Sequence, residues 1–249
     1  MVKSPTKKNL SQHLLEFRQR FIKSLISFIL FFIIGYFFSI EIYNFLLTPL
    51  EISSQNTHRI IYTSPIEAFL SYLKLSLIFA LFCSFPIIIF QFYSFITPAL
   101  YKKERDTVVI IFLLSPILFF IGVAVCYYLL LPVALKFFLS FENINATIPV
   151  ILEAKISEYL KLILNVLFIF GVIFQIPLLF LLLIKFKKID RNSLKKFRKY
   201  YIILSFLFGA IFTPPDIFSQ ILVAAIMIIF YEITFLFAKK PNKSQNSSG

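Results

Sequence analysis

The sequence predicts an all-α, polytopic transmembrane bundle of six helical spans with both termini in the cytoplasm and the last two spans short. Three observations predict it: too few charges to coat a soluble globule, six long uncharged runs, and basic residues gathered on one side of those runs. The 249 residues are 59% hydrophobic and only 15% charged, and the mean hydropathy is +0.87. Soluble domains carry about a quarter of their residues as charges. The chain also has 34 phenylalanines, more than a dry interior of this size would hold, and lipid supplies the missing apolar surroundings. Tryptophan is absent, so the 12 tyrosines must stand in at the membrane interfaces.

The uncharged runs are 24–40, 75–101, 107–135, 162–184, 200–215 and 217–231. They place the spans near 22–41, 72–93, 107–131, 158–184, 199–212 and 217–237. Residues 1–238 are then one membrane domain, and 239–249 a polar cytoplasmic tail expected to be disordered. About 20 apolar residues cross the hydrocarbon as a helix, and the first four runs meet that length. In lipid every backbone amide needs a partner, which leaves helices or closed barrels. The runs are continuous and do not alternate, which disfavours barrel strands. The last two runs form one apolar hairpin broken at Thr213-Pro214-Pro215-Asp216. Paired prolines remove two donors and stop a helix, and Asp216 can accept from the amides that open the sixth helix. Tyr200 to Phe212 covers only about 20 Å as a helix, against about 30 Å of hydrocarbon, so this hairpin is expected where the bilayer is thinned.

Orientation follows from lysine and arginine near the span ends. The N-terminus, the turn at Lys102–Arg105, the 185–199 loop and the tail together hold twenty of them. The opposite loops (41–74, 132–161 and 213–216) carry Arg59, Lys136 and Lys155, with Lys74 and Lys161 at their last positions, and are rich in acids. Both termini are therefore expected inside. The net charge of +13 is read as topology and not as a nucleic-acid surface.

Chemistry-bearing motifs are sparse. None of the five glycines sits in a phosphate-cradling pattern, which excludes nucleotide motifs. His13 and His58 are the only histidines, so no zinc set is expected. Cys83 and Cys126 lie inside apolar runs and read as small buried hydrophobes. No small-x-small cleavage site follows the first run, so no cleavable signal peptide is expected. The chain reads as a binder or conduit without cofactor or metal, not as an enzyme.

Four polar constellations remain, and polar groups near apolar spans are costly. His13 to Arg20 precedes the first span; Glu16 and Arg20 are i,i+4 partners, so this is either a self-neutralised interfacial helix or a docking face. Gln91 to Asp106 is an aromatic turn that carries Glu104 in a basic setting. Phe170 to Pro177 sets Gln175 deep in the fourth run, where it either satisfies a carbonyl freed by Pro177 or lines a cavity. Thr213 to Gln220 holds the proline turn, and capping explains Asp216 but not Gln220.

Read in order, these segments resemble the TatC family, the core subunit of the twin-arginine protein translocase. The matching patterns are H-L-x-E-x-R-x-R at His13–Arg20, S-P-x-E-A-F at Ser64–Phe69 with Lys74 beyond, and Q-x-x-x-F-x-x-P-x-L-Y-x-x-E-R at Gln91–Arg105. F-G-x-x-F-[EQ]-x-P at Phe170–Pro177 and T-P-P-D-x-x-S-Q at Thr213–Gln220 complete them. The resemblance spans about 11 to 236. It implies a receptor for twin-arginine signal peptides of folded cargo that works with small single-span partners of the TatA/TatB type and is driven by the proton-motive force. It further implies a multi-pass protein of a bacterial inner membrane, with an organellar membrane as the less favoured alternative, forming homo-oligomers within the complex. Under it, Glu16 and Glu104 would hold the arginine pair, with His13, Phe95, Pro98, Leu100 and Tyr101 shaping the same face. Gln175, Thr213 and Gln220 would meet a partner helix, and Pro214, Pro215 and Asp216 would form the turn. Gln175 stands where the family often has glutamate, so a step that needs a carboxylate there is in doubt. The competing readings are a small-solute transporter or channel, which would need more midplane polar residues than Gln175, and a scaffold without substrate.

Overall fold

The structure, a computed structural model, describes residues 10–53, 60–96, 102–143, 153–186, 191–213 and 217–237. The side chains of 10–13, 53, 96, 102–107, 185, 191–192 and 237 fall outside that description. In chain order the helices are α1 (Leu10–Phe37), α2 (Ser39–Ser53), α3 (Pro65–Ile96), α4 (Lys102–Val125), α5 (Leu131–Leu139), α6 (Ile156–Ile173), α7 (Ile176–Lys185), α8 (Arg191–Phe212) and α9 (Ile217–Phe237). A π-helical turn, Cys126–Leu130, joins α4 to α5.

Among the described residues, five stretches are long and apolar enough to cross a membrane: Leu14–Phe37, Pro65–Phe95, Val108–Leu139, Ile156–Ile184 and Ile217–Leu236. Helix α8 is long enough but carries Arg191, Lys195, Lys196, Arg198 and Lys199 in its first half. Only its second half is apolar. The expectation that the last two spans are both short is corrected for α9, whose 21 residues reach about 31 Å at 1.5 Å per residue. The uncharged run stops at Glu232, but the helix does not, because Arg198 on α8 pairs with that carboxylate at 2.6 Å.

Two expected outer loops are also partly helical. Within 41–74, α2 forms because Ile42, Leu46 and Leu50 recur every four residues, and Leu46 and Leu50 are buried in the core. Within 132–161, the third span continues into α5. Pro132 cannot donate to the turn before it, and the ladder shifts to a wider one in which the Leu131 amide donates to the Cys126 carbonyl.

The core lies where α4, α6, α3 and α2 meet. Phe119, Ile163, Phe170 and Leu75 are fully buried there. The α4–α6 approach is set by two glycines: a Cβ on Gly171 would lie 2.4 Å from the Phe119 ring, and one on Gly122 2.7 Å from the Phe170 carbonyl. Close approach of this kind replaces the hydrophobic drive that lipid does not supply. At one end of the bundle, tyrosine hydroxyls tie α2 in place: Tyr127 donates to the Phe45 carbonyl at 2.5 Å and Tyr159 to the Leu46 carbonyl at 2.9 Å. Nearby, the Ile61 amide donates to Ala154 and the Ile156 amide to Ile61, forming an isolated parallel bridge.

Candidate functional site

Helix α1 meets α3 along its length. The pair closes at Gly35, where a Cβ would lie 2.7 Å from the Phe79 ring. Toward the start of α1 it opens. A groove of about 290 Å³ there is walled by Phe17, Phe21, Phe28, Ile88, Phe92 and Phe95, with Arg20 and Gln91 at its polar edge. Phe17 meets Phe95 edge to face at 5.7 Å, which sets Phe95 opposite the acidic turn of α1.

Glu16 lies one turn from Arg20, whose guanidinium donates to its carboxylate at 2.7 Å. The side chains of Arg20 and Glu16 keep 24% and 20% of their exposure, so the pair is partly screened by protein and still reachable. A second open cavity, bounded by Glu16, Gln19, Arg20 and Lys23, borders the pair on its polar side. Arg20 therefore separates an apolar groove from a charged one. Its Nε is buried and has no hydrogen-bond partner among the described residues.

The other residues expected at this face are less fully defined. His13 belongs to α1 and Glu104 to the opening of α4 by backbone, while both side chains lie outside the described residues. Pro98, Leu100 and Tyr101 lie outside them altogether, as do Pro214, Pro215 and Asp216.

Gln175 occupies a separate locus. It sits at the break between α6 and α7, which Pro177 enforces at the start of α7. Its own amide bonds to Val172 at 2.9 Å, which leaves the Gly171 carbonyl without its usual i+4 donor. The side-chain nitrogen reaches toward that carbonyl at 3.5 Å and donates to the Ser115 carbonyl of α4 at 3.0 Å. Its oxygen accepts from the Ser115 hydroxyl at 2.6 Å. The carbonyl it supplies is that of Gly171, not one freed by Pro177, and the same side chain bridges to α4. Ser115 went unnoticed in the sequence. A hydroxyl beside Pro116 inside an otherwise apolar run was the available signal.

The α8–α9 hairpin turns its small polar residues inward. Thr213 is buried and its hydroxyl donates to the Gly209 carbonyl at 2.7 Å within its own helix. Gln220 is half-buried, and its amide donates to the Phe206 carbonyl at 3.3 Å. A Cβ on Gly209 would come within 2.9 Å of the Gln220 carbonyl. Of the two, Gln220 retains more surface for an outside partner.

At the far end of α3, the S-P-x-E-A-F segment proves to be a clamp. The Thr63 amide and hydroxyl donate to one oxygen of Glu67 at 2.7 and 2.9 Å, and Ser157 donates to the other at 2.5 Å. One carboxylate thus caps α3 and fastens it to the start of α6.

The family model for the Sec-independent protein translocase protein TatC matches residues 12–225. The TatC protein of Rickettsia prowazekii is 41% identical over 226 residues, covering 90% of each chain. That of Magnetococcus marinus is 37% identical over 230 residues, covering 92% of this chain and 83% of the relative. A crystal structure of a twin-arginine translocase receptor, TatC, in the detergent DDM superposes with a TM-score of 0.77 at 32% identity, covering 92% of this chain and 100% of the other.

Proposed function

This chain belongs to the TatC family of Sec-independent protein translocase proteins, and from that membership we propose that it is the receptor subunit that captures twin-arginine signal peptides at the open end of α1 and α3. It is a membrane-embedded translocase component and not an enzyme. The observation that carries the reading is an aromatic groove set beside an acid: phenylalanines of two helices wall the groove, and Arg20 at its edge holds Glu16 in the adjoining charged cavity.

The chemistry suits an arginine pair followed by an apolar segment. A guanidinium presents a planar fork that a carboxylate holds bidentately, and an ammonium does not. Glu16 and Glu104 would take the two arginines, while Phe17, Phe92 and Phe95 would pack the apolar part. Each charge-assisted bond contributes about 1.5–3 kcal/mol net, so losing one carboxylate weakens capture roughly ten-fold to a hundred-fold or more. The carboxylates act against a basic background, which is tolerable because charges beyond about 8 Å are screened in physiological salt. At rest Arg20 holds Glu16, and capture exchanges one guanidinium for another.

The finer features belong to the same proposal. Helix α8 would cross as a sixth, short span, giving both termini inside a bacterial inner membrane by the lysine and arginine bias. Single-span partners of the TatA/TatB type would dock near Gln220, homo-oligomers would form, and the proton-motive force would drive cargo through a chain that carries no nucleotide motif. A photo-crosslinker at Phe95 tests the core of the reading. An Arg-Arg signal peptide should label strongly, a Lys-Lys peptide weakly, and Glu16→Ala with Glu104→Ala should abolish the difference. Equal labelling by both peptides in the unaltered protein sinks it.

A further inference from the structure

At the opposite end of α3 from Phe95, a cavity of about 660 Å³ opens between the first turns of α3 and α6. Lys74 and Lys161 both line it. Both are exposed, and among the described residues neither has a hydrogen-bond or ion-pair partner. Each is also the last charge before a long apolar run, 75–101 and 162–184 respectively. The part of α3 beyond Lys74 is about 33 Å long at 1.5 Å per residue, close to the roughly 30 Å of hydrocarbon. The two lysines therefore stand at one membrane boundary on neighbouring helices, the level of lipid phosphates.

Two acids share the cavity and are not equivalent. Glu67 already accepts three hydrogen bonds from Thr63 and Ser157, which engage both of its oxygens. Glu158 is exposed and has no partner among the described residues. Two cations and two carboxylates leave no net positive charge, which does not favour a purely anionic ligand. Ammonium groups and a carboxylate without partners among the described residues, lining one cavity, suit a zwitterion.

We propose that this cavity binds the headgroup of a phospholipid ending in a primary ammonium, such as phosphatidylethanolamine, with Lys74 and Lys161 on the phosphate and Glu158 on the ammonium. A trimethylated headgroup cannot donate a hydrogen bond to Glu158, so phosphatidylcholine binds less well. Free phosphate is the poorer fit because Ile66 and Leu70 present exposed apolar walls above Lys74 and Leu77 continues an exposed apolar face below it. The inference rests on the membrane-spanning reading and is independent of signal-peptide capture.

Native mass spectrometry of the full chain in detergent tests it, with phosphatidylethanolamine, phosphatidylcholine, phosphatidylglycerol and inorganic phosphate as separate titrants. Phosphatidylethanolamine should be retained best. Lys74→Gln with Lys161→Gln should weaken its retention about ten-fold, equivalent to about 1.4 kcal/mol, and Lys74→Arg with Lys161→Arg should restore it. Glu158→Gln should erase the preference over phosphatidylcholine while leaving phosphate-dependent retention. The proposal is overturned if the double glutamine variant retains lipid as the unaltered protein does, if phosphatidylglycerol binds more tightly than phosphatidylethanolamine, or if inorganic phosphate displaces the lipid at equal concentration.

Discussion

Two helix pairs in this molecule solve the same problem in opposite ways. Along α4 and α6, two glycines bring the backbones together, Phe119 fills the space over Gly171, and Ser115 and Gln175 exchange two hydrogen bonds. Along α1 and α3, which meet along the length of α1, the backbones come close at Gly35 and the pair opens into a groove toward Phe17. Its polar pair, Glu16 and Arg20, is formed one turn apart within a single helix. The best window of α1 has 6% of its positions buried, against 33% for the stretch that begins with α6. Lipid gives no hydrophobic drive to helix association, so fit and interhelical polar ties decide which pairs are rigid. The seam has both and acts as the frame. The open end of α1 lacks the close fit of the seam, and a face proposed to admit and release a peptide gains from the space beside it.

Overfilling the seam is the largest expected effect. Gly171→Leu drives a side chain into the Phe119 ring, and overpacking of this kind costs about 1–3 kcal/mol or more. Leu25→Ala on the exposed face of α1 should change stability by less than about 0.5 kcal/mol. Thermal unfolding of both variants in the same detergent measures the contrast, and equal losses would erase the distinction between frame and edge. The next effect isolates the polar tie. A double-mutant cycle of Ser115→Ala and Gln175→Leu should show a coupling of about 0.6–2 kcal/mol; additive losses would mean that packing alone holds the seam. Gln175→Glu sharpens the point, because an ionised carboxylate can accept from the Ser115 hydroxyl but cannot donate to the carbonyls of Ser115 and Gly171. That variant should be less stable than the unaltered protein at neutral pH.

What the chain discloses before folding follows the range of the interaction. Long apolar runs are local, so the positions of the membrane-crossing stretches were legible. The Glu16–Arg20 pair was legible too, because helical spacing alone brings those residues together. Helix α2 was not, because Glu41, Asn44, Thr48, Pro49 and Glu51 break up any continuous apolar run around its Ile42, Leu46 and Leu50 stripe, and its stability comes from burial of Leu46 and Leu50 against other helices. The bounds of α9 were legible at 217–237, but the partner of its Glu232, Arg198 of another helix, was not. Ser115 was invisible as the partner of Gln175 for the same reason: the two are 60 positions apart, and no spacing rule reaches that far.

The smallest effect probes the edge itself. If the α1 pair is only a resting partner for Glu16, Arg20→Gln should leave the carboxylate open to an incoming guanidinium. An i,i+4 helix pair that is still reachable by solvent contributes about 0.3–0.5 kcal/mol, so capture of an Arg-Arg peptide should strengthen by roughly two-fold. Microscale affinity measurements at low and high salt would read it, and the gain should shrink as salt screens the pair. A fall in affinity would give Arg20 a different part. It borders both the apolar groove and the charged one, and its buried Nε lacks a partner among the described residues. A guanidinium so placed could donate to a peptide carbonyl on arrival, and its loss would then weaken the complex it was expected to release.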